Sequence, residues 1–405
     1  MHRSFEQDDY PGEPRILFIG LGHSTHTHAW IDLLQRSSLN VRLFCTTNEA
    51  PPAGWRTRTY VLAKSPGSAE TERRSYLWNH AAAGYRLRRR VARARGDEFD
   101  PGHLVADWLV SIIRGWKPHI VHTLGLDAAH FYFPARERVG NGGPKWVLQT
   151  RGGSDLQLAH LDPERHPGIA HVLQTCDQLL SDNVINYRIA RDLGIRAEQL
   201  ATIGTVPGTG GIDINPNWSS KPSARRIIVW PKAFESPWSK SLPVLEAFKI
   251  CWQQIQPGRI EMLATCPQTL MHFWSLPDEV RSGCVIHDRI PRAEALGIIA
   301  QARVTLSPSL VDGVPNVMYE AMAMGALPIV SPLESIATVV KADENVLFAR
   351  NLYPDEIAAA LVRAMADDNL VDSVAERNLA LVKTIADRET IRPRVVNFYR
   401  ELARS

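Results

Sequence analysis

The segment from residue 307 to residue 334 constrains the fold of this chain more than any other part of it. Residues 304–306, just before it, form a short apolar run typical of a buried strand, and a Gly-Val-Pro turn follows Asp312. Residues 316–324 then contain no helix breaker until Gly325, a residue type that commonly ends a helix. The pattern therefore predicts a strand, a tight loop and a helix in direct succession.

The loop and the start of the helix suit a ligand that carries both phosphate and hydroxyl groups. Gly313 lets a ligand approach the backbone closely, and the free N–H groups at a helix N-terminus attract a diphosphate. Glu320 lies about one turn inside the helix, where its carboxylate can accept hydrogen bonds from vicinal hydroxyls such as a ribose diol. Asp312 approaches from the loop. The simpler alternative is an ordinary strand, loop and helix with surface carboxylates.

These residues, with the run Glu-Ala-Met-Ala-Met-Gly-Ala-Leu-Pro-Ile-Val at 320–330, resemble the E-x7-E region of family-four retaining glycosyltransferases of the GT-B fold. The resemblance implies an α/β fold with two doubly wound, Rossmann-like domains that face each other across a cleft. Glu320 matches the second Glu of the family, which holds the nucleotide ribose. Asp312 stands where the first Glu contacts hydroxyls of the transferred sugar.

The resemblance also implies a donor site in the second domain. Relatives grip the donor diphosphate with an arginine and a lysine, and Lys232 and Lys240 occupy comparable places here, with Lys240 favoured. Surface lysines without a ligand are the alternative. Residues 286–291 lie where relatives hold the nucleotide base. The predicted donor-binding residues are Lys232, Lys240, Arg289, Asp312, Gly313, Val314, Pro315, Asn316, Val317, Glu320 and Glu334.

The start of the chain reads as strand, helix and strand at residues 15–20, 26–36 and 41–45. Its glycines do not complete G-x-G-x-x-G, so a nicotinamide cofactor is poorly supported. The His-Thr-His-Ala-Trp sequence that begins at His26 resembles the opening of some family-four members, and we expect Gly22, His23 and His26 to face the acceptor. Solvated histidines are the alternative. These histidines lack accompanying carboxylates, so we predict no metal site.

Two later strands supply further acceptor-side candidates, because open parallel sheets place ligand groups at the carboxyl ends of their strands. His122 ends one of these strands, and Arg-Gly-Gly-Ser-Asp at 151–155 follows the next. The latter resembles the Gly-Ser-Asp loop of the family. Asp155 could orient or deprotonate an acceptor hydroxyl, and Arg151 could hold an anionic acceptor. A purely capping role for Asp155 is the alternative.

Residues 70–95 read as a helical stretch that carries a dense basic run between residues 86 and 95. A run of this kind is usually a solvated helix face. The alternative is a patch that docks on anionic lipid headgroups, because Trp78 and Tyr85 beside the arginines suit a membrane interface. The run comprises Arg86, Arg88, Arg89, Arg90, Arg93 and Arg95.

The chain has 405 residues, more than one core usually supports. We expect an acceptor-binding domain at 1–207, a Gly- and Pro-rich linker at 208–222, a donor-binding domain at 223–380 and a closing helix at 381–405 that crosses back. The net charge of +3 argues against a dedicated nucleic-acid binder. Five scattered cysteines, a polar N-terminus and no long apolar run favour a cytoplasmic protein, with peripheral contact at the inner face of a membrane as an option.

The sequence therefore favours a metal-independent glycosyltransferase that acts in the synthesis of a cell-surface glycan or glycoconjugate. It would move a hexose-type sugar from a UDP- or GDP-sugar to a glycan, lipid-linked or small-molecule hydroxyl, with retention, and without a further cofactor. Asp155, Asp312 and Lys240 are the predicted catalytic residues. The alternatives are a sugar-nucleotide epimerase or hydrolase of the same fold and a non-catalytic sugar-nucleotide sensor, which fold alone does not exclude.

Overall fold

The computed structural model describes residues 5, 7–49, 51–52, 54–62, 74–76, 90–91, 94, 101–140, 142–214 and 218–405. Within these ranges the chain forms two separate sheets whose strand pairs are all parallel. Parallel strands need crossover connections, and helices supply most of these between the strands described here. This is the two-domain α/β architecture that the sequence predicts.

The sheet of the first domain has the strand order β4-β3-β2-β1-β5-β6-β7 in the described residues. Its strands are β1 (Arg15–Gly20), β2 (Asn40–Cys45), β3 (Arg58–Val61), β4 (Arg74–Tyr76), β5 (Ile120–Leu124), β6 (Lys145–Thr150) and β7 (Gln178–Ser181). Its helices are α1 (Thr25–Asp32), α2 (Pro101–Trp116), α3 (Leu126–Val139), α4 (Gly152–Asp155), α5 (His166–Thr175) and α6 (Val184–Asp192). Short 3-10 helices lie at Ala159–Leu161 and Ala197–Gln199.

The sheet of the second domain has the order β10-β9-β8-β11-β12-β13. Its strands are β8 (Ile227–Trp230), β9 (Arg259–Met262), β10 (Cys284–Ile286), β11 (Ala302–Ser307), β12 (Leu327–Val330) and β13 (Leu347–Phe348). The helices that follow the first domain are α7 (Leu242–Cys251), α8 (Pro267–Phe273), α9 (Asp278–Ser282), α10 (Arg292–Ile299), α11 (Asn316–Ala323), α12 (Glu334–Ala337), α13 (Pro354–Ala366), α14 (Asp368–Ile385) and α15 (Arg388–Arg404), with a 3-10 helix at Pro222–Ala224.

Each strand order has one point where the direction of winding reverses, between β1 and β5 in the first sheet and between β8 and β11 in the second. The loops that leave neighbouring strands at such a point diverge to opposite faces of the sheet and open a crevice at the carboxyl edge. The loops after these four strands are therefore the ones that the topology makes available for binding. The segment from residue 304 to residue 325 is one of them, as the sequence predicts.

The last helix, α15, packs against the first domain although it follows the second in sequence. Val395, Phe398 and Tyr399 belong to the same apolar cluster as Phe18 and Trp30 of the first domain. The hydroxyl of Tyr399 accepts a hydrogen bond from Trp30 Nε1 at 2.9 Å. The contact therefore buries apolar surface and also gives the indole N–H a partner, which a buried tryptophan needs.

The two chain segments that pass between the domains run side by side. Ile212 donates its backbone N–H to Ala386, and Arg388 donates its own to Ile212, at 2.8 and 2.9 Å. The Arg388 guanidinium also donates to the carbonyl of Ala29 at 3.0 Å. This pairing ties the outgoing segment to the returning one, next to α1.

The prediction of one helical stretch over residues 70–95 is wrong at residues 74–76. Arg74–Tyr76 is the edge strand β4, which pairs in register with β3. Its buried Ser75 and Tyr76 are covered because the strand extends the sheet. Of the basic run, the structure describes Arg90 as an exposed helical residue. The other arginines of the run, with Trp78 and Tyr85, lie outside the described residues.

A helix that crosses a bilayer needs about 20 predominantly apolar residues. Among the helices of the described residues, none is long and apolar enough to do so.

Candidate functional site

A cavity of about 600 Å³ lies between the carboxyl edges of the two sheets. This volume is within the range of small-molecule sites. The first domain contributes residues that follow its strands, including His26, Gly125 and Arg151. The second domain contributes Lys232 after β8 and Asp312 after β11. The crevices of the two sheets therefore face each other and enclose one site, which we call the cleft.

The N-terminus of α11 forms one wall of the cleft on the side of the second domain. Residues 314–317 line it, and Pro315 occupies the N-cap position without a side-chain hydrogen bond to the helix. The first backbone N–H groups of a helix have no partner within the helix, and the helix dipole gives this end a partial positive charge. The wall therefore presents donors that suit an anion such as a diphosphate.

Glu320 lies on the same helix, facing the cleft. It is paired with Arg292 at the start of α10, which donates to its Oε1 atom. Burial raises the pKa of Glu320, and the charge of Arg292 acts against that shift. The sequence analysis did not identify Arg292. Its position at the start of a helix, directly after Pro291, offered no chemical signal.

Asp312 and Lys232 form a second ion pair in the cleft. The lysine Nζ lies 3.2 Å from Asp312 Oδ2, and the other carboxylate oxygen accepts the backbone N–H of Gly313 at 2.8 Å. The hydroxyl of Ser335 donates to the carbonyls of both Asp312 and Gly313. The loop after β11 is thus fixed from two sides, which holds the carboxylate at the centre of the cleft.

The loop that carries Asp312 also touches the first domain. A Cβ atom built on Gly153 would lie 2.7 Å from the backbone nitrogen of Asp312 and would also meet Val311 Cγ1. A Cβ atom on Gly313 would lie 2.7 Å from the Cα of Gly152. Real Cβ atoms do not approach other atoms this closely, so the contact between the domains requires glycine at both positions.

Asp155 lines the cleft, but its carboxylate is held by backbone groups. One oxygen accepts the N–H of Leu126 at 2.8 Å, and the other accepts the N–H of Arg151 at 3.0 Å. Leu126 is the first residue of α3, so the carboxylate satisfies one of that helix's free donors. Burial raises the pKa of Asp155 to about 6. The geometry thus supports the capping alternative, with the helix capped being α3.

Asp182 is a cleft residue that the sequence analysis missed. It follows β7 directly, accepts the N–H of Gly152 at 2.8 Å and the amide of Asn183 at 2.7 Å, and is almost fully buried. Burial raises its pKa to about 7, and the nearby Asp312 adds to the shift. Its place at the carboxyl end of a buried strand was the signal that could have identified it.

The raised pKa values of Asp155 and Asp182 predict a contribution to stability that is lost as pH rises. A carboxyl group whose pKa is higher in the folded state binds more protons when folded, so the contribution of these two groups is greatest below the unfolded value of 3.8 and falls up to the folded values near 6 and 7. Asp182→Asn should flatten this fall between about pH 4 and pH 7, by up to about 1.4 kcal/mol per pH unit. Denaturant midpoints measured across that range test this. The exposed Asp192→Asn is the control, and an equal slope in Asp182→Asn and wild type would contradict the prediction.

His26 lies at the start of α1 and lines the cleft. Its surroundings in the cleft remove solvent, and the positive charges of Arg151, Lys232 and Arg292 add to that effect. Together they lower the pKa of His26, although the residue is exposed to solvent at the edge of the cleft. The imidazole is therefore neutral at pH 7 and can both donate and accept a hydrogen bond.

Three of the predicted donor residues lie outside the cleft lining. Lys240 pairs with Glu235 at 2.9 Å and donates to the carbonyl of Ser236, so its charge is already partnered. Glu334 begins α12 and pairs with Arg188 of the first domain at the protein surface. Gly313 packs against the first domain as described above. Lys240 and Glu334 thus lie outside the cleft lining, each paired with a charged side chain, and the prediction that they bind the donor stays a prediction.

Three of the predicted acceptor residues also lie outside the cleft lining. His122 is fully buried, and its Nδ1 lies 2.6 Å from the Tyr399 hydroxyl. His23 pairs with Glu49, and Gly22 packs against the same loop and Cys45. The structure does not bring these three residues into the cleft lining, and their role toward an acceptor stays a prediction. For His122 the reason is strand position: it sits two residues before the end of β5, where the side chain points into the core rather than into the crevice.

The cleft brings together the remaining predicted residues from both domains. On the acceptor side these are His26, Arg151 and Asp155. On the donor side they are Lys232, Arg289, Asp312, Val314, Pro315, Asn316, Val317 and Glu320. Their roles stay predictions. In the part of the chain that the structure describes, no group of three or more His, Cys, Asp or Glu side chains is placed to hold a metal ion.

Residues 227–367, which span most of the second domain including β8, β11 and α11, match the family model described as glycosyl transferases group 1. This part of the chain is similar to that family. No curated protein matches the chain in sequence. The likeness to solved structures, by contrast, extends over both domains, and it shows that the whole chain has the GT-B fold.

Sucrose-phosphate synthase from Thermosynechococcus elongatus superposes with a TM-score of 0.71 at 15% identity, covering 97% of this chain and 100% of its own. Anabaena HepE, solved with UDP-glucose, has a TM-score of 0.68 at 13% identity and covers 95% and 98%. TarM from S. aureus has a TM-score of 0.68 at 7% identity and covers 95% and 99%. At these identities the similarity establishes the fold.

Proposed function

We propose that this protein is a retaining glycosyltransferase that moves a hexose-type sugar from a UDP- or GDP-sugar to a hydroxyl acceptor. The observation that carries the proposal is the cleft itself. In the second domain, the start of α11, the carboxylate of Glu320 and the cations Lys232 and Arg292 line the cleft. They face polar residues of the first domain across a cavity of about 600 Å³. Donor and acceptor would each bind to one domain and meet between them.

The donor half of the cleft fits the parts of a nucleotide sugar. The free N–H groups at the start of α11 and the ammonium group of Lys232 suit the diphosphate, and Glu320 suits the ribose diol. Asp312 lies between the diphosphate position and the first domain, where its carboxylate can accept hydroxyls of the sugar. HepE was solved with UDP-glucose, and it shares this fold.

The chemistry that we propose breaks the bond between the anomeric carbon and the diphosphate and forms a bond from that carbon to the acceptor oxygen on the same face. The acceptor proton passes to the departing diphosphate, which then serves as the base. The protein positions both substrates and stabilises the negative charge that develops on the diphosphate. Lys232 and the α11 backbone donors supply that stabilisation, in place of the predicted Lys240.

The test is transfer by the purified chain from a panel of UDP-, GDP- and ADP-sugars to a mixture of hydroxyl acceptors, before and after treatment with EDTA. We expect one nucleotide class to be bound and its sugar transferred at an unchanged rate in EDTA, since Lys232 and helix donors can meet the diphosphate charge. Product mass and anomeric configuration by NMR are the readouts. Activity that EDTA abolishes and manganese or magnesium restores would contradict metal independence.

The same experiment separates the alternatives. A hydrolase would release nucleotide at full rate from donor alone, an epimerase would change the donor sugar without an acceptor, and a sensor would bind donor and turn nothing over. The interaction of two opposed domains around one cavity favours transfer, because a hydrolase or sensor needs no acceptor wall. The proposal includes a role in glycan or glycoconjugate synthesis at the cytoplasmic face of a membrane. Identification of the acceptor tests that part of it.

A further inference from the structure

We propose that the acceptor carries an oxyanion, a phosphate or carboxylate group, and that Arg151 binds it. The inference rests on the proposed function and specifies the acceptor class of the same cleft. Arg151 follows β6, lines the cleft and carries a guanidinium that fits a planar pair of oxygens. Its role would be to select the acceptor rather than to hold the donor.

Two of the three guanidinium nitrogens of Arg151 are buried without a hydrogen-bond partner, in a residue that is itself half-buried. Its Nε and Nη2 atoms are closed off from solvent, and no side chain or carbonyl among the described residues accepts from them. A buried donor without a partner costs stability, and the cost is greater for a charged group. The other cations of the cleft with a carboxylate partner, Lys232 and Arg292, show how such groups are normally satisfied.

The carboxylates nearest to Arg151 do not accept hydrogen bonds from its guanidinium group. Asp155 accepts from the backbone N–H groups of Leu126 and Arg151, and Asp182 accepts from Gly152 and Asn183. All four bonds hold backbone or neighbouring side chains rather than the guanidinium. Burial also raises the pKa values of both carboxyl groups to about 6 and about 7, so their negative charge is reduced near neutral pH.

The backbone around Arg151 adds further donors to the same part of the cleft. Ser24, Thr25, His26 and Thr27, at the start of the eight-residue helix α1, line the cavity with it. The N-cap Ser24 makes no side-chain hydrogen bond to the helix, so the first N–H groups of α1 stay available. A helix N-terminus beside an unpaired guanidinium favours an anion more than either group does alone.

The first arm of the test measures inorganic phosphate binding by ³¹P NMR, with the protein saturated by UDP so that the diphosphate position is filled. We expect saturable binding to wild type and a roughly 10- to 100-fold loss in Arg151→Gln, the range of a charge-assisted hydrogen bond. Arg151→Lys should keep part of the affinity because it keeps the charge. Arg196→Gln, an exposed arginine of the same domain paired with Glu198, is the matched control.

The second arm compares glucose, glucose 6-phosphate and glucuronate as acceptors, which differ only at carbon 6. A lower KM for the phosphate or for the carboxylate identifies the oxyanion, and Arg151→Gln should remove that preference while changing kcat less. No saturable phosphate binding to wild type, or equal binding to Arg151→Gln, would overturn the inference. The proposed function fails separately, when neither UDP nor any nucleotide sugar binds the wild-type protein.

Discussion

Replacing Glu320 by alanine is expected to weaken binding of the nucleotide sugar by roughly 100-fold, near the upper range for hydrogen bonds to a charged group. In the described residues only Arg292 donates to the carboxylate, and it uses Oε1. The remaining oxygen is therefore free to accept a ribose hydroxyl from the cleft. Loss of the carboxylate also leaves Arg292 without its partner beside the bound nucleotide.

Titration calorimetry with the best donor measures this effect. Glu356→Ala is the matched control, because Glu356 is a carboxylate of the same domain that pairs with Arg350 at the surface. Circular dichroism should show that both variants are folded. Equal affinity of wild type and Glu320→Ala for every nucleotide sugar that the wild type binds would remove Glu320 from the donor site.

The parts of the fold that the sequence predicted best are those set by local pattern. The strand, loop and helix from residue 302 to residue 323 follow from a buried apolar run, a glycine-proline turn and an uninterrupted helical stretch. The two parallel sheets follow from the alternation of strand and helix. The prediction of a helix at Arg74–Tyr76 was wrong because the neighbouring sequence is rich in charged and helix-favouring residues. Pairing with β3, which the local sequence does not show, decides the conformation of this segment.

The site was harder to predict because whether a residue lines the cleft depends on the side chains that contact it in the folded protein. Lys232 and Lys240 both follow β8 in sequence. Lys240 forms an ion pair with Glu235 outside the cleft, whereas Lys232 forms an ion pair with Asp312 inside it. No spacing rule distinguishes these two outcomes. Asp182 was missed for a related reason, since an acidic residue after a strand gains significance only when Gly152 and Asp312 are seen beside it.

The close contact between the two domains near Asp312 could not be predicted from the sequence alone. Gly152 and Gly153 are two adjacent glycines at the start of the short helix α4, and Gly313 lies about 160 residues later in the sequence. Only in three dimensions do these glycines meet, where the backbone of one domain approaches that of the other too closely for any side chain. The cleft is complete because this contact brings Asp312 next to the acceptor side.

That contact predicts a large effect for Gly153→Ala. The added methyl group would lie 2.7 Å from the nitrogen and 2.8 Å from the Cα of Asp312, and both are backbone atoms that cannot rotate away. The domains must then separate or shift. Because a displacement of about 1 Å can cost roughly 100-fold in rate, we expect transfer to fall by about that factor. Binding of the nucleotide alone should change little, since Glu320 and the start of α11 lie within the second domain.

Steady-state transfer, donor affinity and small-angle scattering of Gly153→Ala together measure this separation. Gly115→Ala is the matched control, because a Cβ atom on that exposed glycine of the first domain meets no atom within 4 Å. A loss of transfer with retained donor affinity, confined to Gly153→Ala, would mean that chemistry requires the two domains at this separation. Wild-type transfer in Gly153→Ala would show instead that the loop of Asp312 yields, and that the close approach of the domains is not needed for the reaction.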